Sequence, residues 1–133
     1  MDLKRFGVSL EEDLLQALDE FVEKKQFPNR SRAIRYLITN TLIQEKIAND
    51  QPVAGSLVIV YDHHQREVNT KLLDIQHDYH ELILCNQHVH LAHDLCLETI
   101  ALKGRADQLA LLADKIVGIK GIKHGKLVIT DVE

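Results

Sequence analysis

No apolar run in this chain of 133 residues approaches the roughly 20 that span a bilayer. Its charged start, Asp2, Lys4 and Arg5, contains no apolar signal segment, so the sequence predicts a cytoplasmic protein that does not enter a membrane. Internal repeats and low-complexity segments are also missing. With 45% hydrophobic and 27% charged residues, the composition excludes intrinsic disorder and predicts one or two small globular domains. Cysteine is scarce: only Cys85 and Cys96 are present, and in the cytoplasm both are expected to be reduced rather than paired. Excess positive charge is missing too, since the net charge of -4 argues against a generic nucleic-acid binder. That total hides a segregation. Glu11 to Glu23 holds six acidic residues and no basic one, whereas Lys24 to Gln44 holds five basic residues and no acidic one. Such runs are most simply solvated faces and support DNA binding only weakly.

Histidine, by contrast, is concentrated. Five of the eight histidines and both cysteines fall within the 20 residues from His77 to Cys96. In an extended strand alternate side chains share a face, so His88 and His90 of the HVH segment aim two imidazoles the same way. A return through Ala92, His93 and Asp94 lays a second strand beside the first, from which Cys96 can face them. That supplies N, N and S ligands. A fourth is expected from His77 or His80, which lie on a segment that reads as helix and can come from another copy of the chain. Two or three imidazoles with one thiolate suit Ni(II) or Cu(II) in a square-planar field, or Zn(II) in a tetrahedral one. Cys85 alternates with Ile83, Gln87, Val89 and Leu91, which predicts core packing.

The first fifty residues read as one strand and two helices. Phe6, Val8 and Leu10 alternate with Arg5, Gly7 and Ser9, the pattern of a strand with one apolar face. An acidic turn, Glu11 to Asp13, then opens a helix striped by Leu14, Leu15, Leu18, Phe21 and Val22 and ended near Pro28. Asn29 is the predicted N-cap of a second helix, with Ile34, Leu37, Ile38, Thr41 and Leu42 on one face. A single strand has no partner within such a unit. Two copies pairing their strands antiparallel would form a ribbon over four helices, with Arg5, Gly7 and Ser9 on an outer side narrow enough for a DNA major groove.

RFGVSLEEDLL followed by NRSRAIRYLI resembles a ribbon-helix-helix DNA-binding domain. His77, then HVHLAHDLC, then Leu102-Lys103-Gly104, resembles the nickel-responsive transcriptional regulators called NikR, over nearly the whole chain. The resemblance implies square-planar Ni(II), one per subunit, held by His88, His90 and Cys96 of one chain and His77 of its neighbour, with Glu98 supporting the ligands. It also implies a homotetramer, a dimer of dimers, that binds double-stranded operator DNA and represses nickel uptake. Arg5, Gly7 and Ser9 match the base-reading strand positions, and Asn29, Arg30 and Ser31 match the helix start that faces phosphate. Departures are visible as well. Gly7 stands where the family usually has a hydroxyl residue, and Arg32 and Tyr36 stand where relatives often carry a glutamate and an aspartate that help form an ion site between the domains. A potassium-type cation is therefore not expected there.

The expected fold class is α+β, with a ribbon-helix-helix (β-α-α) domain over 1–50, a linker over 51–55 marked by Pro52 and Gly55, and a ferredoxin-like βαββαβ, ACT-like domain over 56–133. In that second domain Ser56 to Asp62 predicts a strand, Gln65 to His80 a helix with Val68, Leu72, Leu73 and Ile75, and Arg105 to Val117 a helix with Leu109, Leu112 and Ile116. Lys126 to Thr130 predicts the last strand. His63 and His64 read as solvated loop residues, with a secondary metal site or a DNA-backbone contact as the less favoured role. His80 and His93 are candidates for a lower-affinity site, and His124 reads as a turn residue. Two other function classes compete. A metal-buffering or metal-delivery protein for Ni, Cu or Zn explains the histidines but leaves the Arg5 to Ser9 strand without purpose. A metalloenzyme needs an open coordination position, and the sequence shows no nucleophile and base pair near the site.

Overall fold

The structure, a computed structural model, describes residues 2–132. The chain divides into two compact units, Met1–Leu42 and Ile43–Glu133.

In the first unit, residues 2–11 form no strand among the described residues. The strand expected at Arg5 to Leu10 needs a hydrogen-bonded neighbour, and one copy of the chain offers none. Helix α1 (Glu12–Lys24) starts after Glu11 and carries its acidic residues, Glu12 and Asp13, in the first turn, where they oppose the helix dipole. Gln26, at φ 60°, turns the chain out of α1 toward α2 (Arg30–Ala48). The predicted cap is in place: Asn29 Oδ1 accepts from the Arg32 backbone N–H at 2.9 Å. Phe21, Phe27 and Tyr36 pack their rings 5.4 to 6.1 Å apart.

The second unit is α+β. Strand β1 (Pro52–Tyr61), helix α3 (Arg66–Asp78), strands β2 (Ile83–Ala92) and β3 (Leu95–Arg105), helix α4 (Ala106–Val117) and β4 (Ile122–Thr130) follow the expected βαββαβ order. The strands form one antiparallel sheet in the order β2-β3-β1-β4. Residues alternate along β1 and β3, so Leu57, Ile59 and Tyr61 share a buried face with Cys96, Glu98, Ile100 and Leu102. Val68 and Leu72 of α3 and Leu109, Leu112 and Ile116 of α4 close that core. Leu73, expected on the same helix stripe, is instead 69% exposed.

Several expectations fail here for local reasons. Residues 51–55 are not a separate linker, because β1 begins at Pro52. Pro52 takes the first strand position, where a missing N–H costs little. Gly55 pairs with Ile129, and a Cβ on it would meet the Val128 carbonyl at 2.9 Å, so close approach to β4 explains this glycine. His124 lies within β4, opposite Val60, rather than in a turn; the turn precedes it at Gly121, φ 108°. Cys85 is exposed, because the face it shares with Val89 and Leu91 belongs to edge strand β2 and is not covered within this chain.

At its start the second unit has a long-range cap. Helix α4 receives no hydrogen bond from the side chain of its own N-cap, Arg105. Asp50, at φ 54°, supplies one instead: Oδ1 accepts from the Asp107 backbone N–H at 2.8 Å while Oδ2 pairs with Arg105.

Candidate metal centre

The β2–β3 hairpin aligns the predicted ligands. Its register sets His90 opposite Cys96 and His88 opposite Glu98, so all four residues lie on the sheet face that carries the helices. His88 and His90 nevertheless stay exposed because β2 is the sheet edge, while Cys96 and Glu98 one strand inward are buried. Their rings are 5.6 Å apart. The Cys96 thiol donates to the Tyr61 carbonyl at 3.4 Å. His88, His90 and Cys96 thus share a patch without converging on a common point. Burial, above all, pushes the Cys96 thiol up, with the nearby Glu98 and Asp62 carboxylates adding to the effect.

Beneath His88 lies a polar network. Glu98 is 4% exposed and accepts at Oε1 from the Tyr61 hydroxyl at 2.8 Å. Its Oε2 accepts from Gln76 at 2.8 Å and from Asn86 at 3.3 Å. The Tyr61 hydroxyl also lies 3.3 Å from His88 Nδ1. Burial and the adjoining Glu98 carboxylate raise the Tyr61 pKa well above that of a free phenol, which keeps the hydroxyl protonated and donating. Gln76, at the end of α3, is the immediate neighbour of His77, which is exposed. His80 Nδ1 meets the His77 carbonyl at 3.0 Å, within its own helix end.

Of the two loop histidines, His64 is exposed as expected, whereas His63 is half-buried and its Nδ1 is buried without a hydrogen-bond partner among the described residues. Its ring stands 4.0 Å from that of His64 and 4.4 Å from that of His90. Burial, then the neighbouring imidazoles, lowers its pKa and favours the neutral ring. The adjacent histidines after β1 were the sequence signal, but their meeting with the hairpin depends on β1 lying beside β3.

The expected DNA-binding residues all lie in the first unit. Arg5, Gly7 and Ser9 are exposed, as are Asn29, Arg30 and Ser31 at the start of α2. Arg30 is engaged by Asp19 through two hydrogen bonds of 2.7 and 2.9 Å, which lower the Asp19 pKa. No helix among the described residues is long and apolar enough to cross a membrane.

Residues 54–130 match the family model described as the NikR C terminal nickel binding domain. A protein of Syntrophus aciditrophicus named nickel-responsive regulator is 46% identical over 131 residues, spanning 98% of this chain and 96% of that one. A similarly named protein of Desulfovibrio desulfuricans is 49% identical over 124 residues, covering 93% and 90% of the two chains. Among solved structures, an uncharacterized Thermotoga maritima protein shares the fold at a TM-score of 0.54 and 20% identity, over 59% of this chain and 98% of its own. A hairpin that lines up two imidazoles with a thiol, inside a segment that matches a nickel-binding domain and with relatives similar along almost their whole length, establishes that the chain belongs to the NikR family of nickel-responsive regulators.

Proposed function

We propose that this protein is a cytoplasmic DNA-binding transcriptional regulator, a repressor of nickel-uptake genes, whose grip on operator DNA depends on nickel held between its subunits. The observation that carries the reading is the hairpin register, with His90 opposite Cys96 and His88 opposite Glu98. His88, His90 and Cys96 of one chain and His77 of a neighbouring chain are the donors for one Ni(II) per subunit, which when bound supplies a fixed link between two chains. Imidazole and thiolate together suit that borderline cation.

The chain's own residues couple this site to its surroundings. Glu98 ties the hairpin to the end of α3 through Gln76, so a shift of the carboxylate is felt next to His77. Cys96 must release its proton and its contact with the Tyr61 carbonyl before the sulfur can act as a ligand, so uptake releases a proton and is favoured as pH rises.

The DNA half rests on the first unit's exposed apolar side chains. Phe6 is 74% exposed and Val8 57%, apolar side chains that a second copy would cover once the segment pairs as a strand. Two such strands paired antiparallel turn Arg5, Gly7 and Ser9 toward the major groove, while Asn29, Arg30 and Ser31 place helix amides at phosphate. Arg30 would exchange Asp19 for phosphate on binding. Four chains, as a dimer of dimers, would then carry two ribbons, and tighter DNA binding by the nickel-loaded form requires tighter nickel binding by the DNA-bound form.

The test is a gel shift on duplex DNA selected from a random pool by the nickel-loaded wild type. His77→Ala, at an exposed residue, should keep the wild-type circular dichroism and lose the nickel-dependent shift. An undiminished nickel-dependent shift would overturn the proposal.

A further inference from the structure

We infer that Tyr79 and Lys115 position His77 by clamping the end of α3 onto α4; the inference rests on the assignment of His77 as a nickel donor made above. The need for a clamp is visible along the helix. Val68 and Leu72, the buried residues of α3, lie in its first two turns. Past them the helix loosens its hold on the core: Leu73 is 69% exposed, His77 and Asp78 are exposed, and Ile75 and Tyr79 are only partly buried. A groove of about 290 Å³ opens beside the end of α3 and α4, lined by Asp78, Tyr79, Glu81, Leu82, Gln108 and Leu111. Apolar packing therefore fixes the start of α3 better than the turn that carries His77.

Two polar contacts flank His77 instead. On one side Gln76 donates to Glu98 at 2.8 Å, which ties it to β3. On the other, Lys115 Nζ donates to the Tyr79 hydroxyl at 2.5 Å, which ties the helix end to α4. Tyr79 is also the C-cap of α3. Its backbone N–H reaches the Ile75 carbonyl at 3.0 Å and its own carbonyl accepts from the Leu82 N–H at 3.0 Å, so a held Tyr79 side chain steadies both the last helical turn and the turn that follows. The anchor is firm, because Leu109, Leu112 and Ile116 are 0% exposed and fix α4 in the core. An imidazole offered to a neighbouring chain has to keep its direction before that chain arrives. Supports at Gln76 and Tyr79, on either side of His77, meet that need.

The test sets hydrogen exchange of the metal-free, full-length chain beside its nickel affinity. Lys115→Met and Tyr79→Phe each remove the contact while keeping most of the side chain's bulk. Each should speed amide exchange over residues 77–82, leave β1 and β3 protected as in wild type, and lower Ni(II) affinity about tenfold. Lys115→Arg keeps a donor for the hydroxyl and should restore both readings. A clamp that acts through His77 has nothing to act on once that imidazole is gone, so Lys115→Met should cost no further affinity in a His77→Ala background. Unchanged exchange over 77–82, or an equal loss of affinity with and without His77, overturns the proposal. Should His77→Ala bind nickel as tightly as wild type, the donor assignment fails and the clamp's role falls with it. Weaker binding by His77→Ala beside unaltered binding by Lys115→Met and Tyr79→Phe removes the clamp alone.

Discussion

The two units of the chain treat apolar side chains in opposite ways. In the second, Leu57, Ile59, Ile100, Leu109 and Leu112 are all 0% exposed, and a four-stranded sheet with two helices encloses them. In the first, α1 buries none of its residues among those described, and Leu14, Leu37, Ile38 and Leu42 are 44 to 53% exposed. A unit of this size made of two helices and an unpaired segment cannot remove its apolar stripes from water alone. Similar amphipathic helices therefore have different status: α4 is covered within its own unit, whereas α1 keeps its apolar stripe partly open to water.

The largest expected effect tests that contrast directly. Leu109→Ala should cost about 2–5 kcal/mol through lost burial and a residual cavity, read as a lowered urea midpoint of the second unit. Leu14→Ala should barely alter that midpoint and should act on self-association, read by sedimentation over a dilution series. Equal effects on the urea midpoint would remove the distinction. Next in size, Glu98→Leu leaves the Tyr61 hydroxyl and the Gln76 amide without their acceptor, and should destabilise the second unit by roughly 1–3 kcal/mol. An unchanged urea midpoint would show that the network contributes little to this unit's stability.

The smallest effect concerns the cap on α4. Asp50→Ala should lower the melting temperature of the second unit modestly at neutral pH. The Asp107 backbone N–H, first, and then Arg105 hold the Asp50 carboxyl below the usual carboxylate range. Its folded pKa thus lies below its unfolded value of about 3.9, so its contribution is present above that pH and is lost as pH falls through the folded pKa. Melting curves of wild type and variant should converge in acid. A gap that persists at low pH would assign the cap's effect to packing rather than charge.

Where periodicity and capping chemistry act locally, the sequence is legible. Leu109, Leu112 and Ile116 recur at helical spacing and line the core; Asn29 caps α2; the two-residue period of a strand puts His88 and His90 on one side. Pro52, Gly55 and Cys85 depart from the local pattern because each outcome depends on what the sheet does or does not place beside it. The same turn-forming signals served a strand start and a close approach to β4, and an apolar alternation fell on an uncovered sheet edge.

By itself, then, the sequence determined the element order of the second unit, most of its helix stripes and the donor chemistry of the hairpin, since these follow from bond geometry and side-chain type within a few residues. Tertiary structure alone decided that Cys96 is buried while His90 opposite it is exposed, that Glu98 is held by Tyr61 and Gln76, and that His64 meets His93 and Asp94. Those outcomes depend on which strand takes the sheet edge and which loops leave the sheet at the same end. Strand order joins segments tens of residues apart, which no local period encodes.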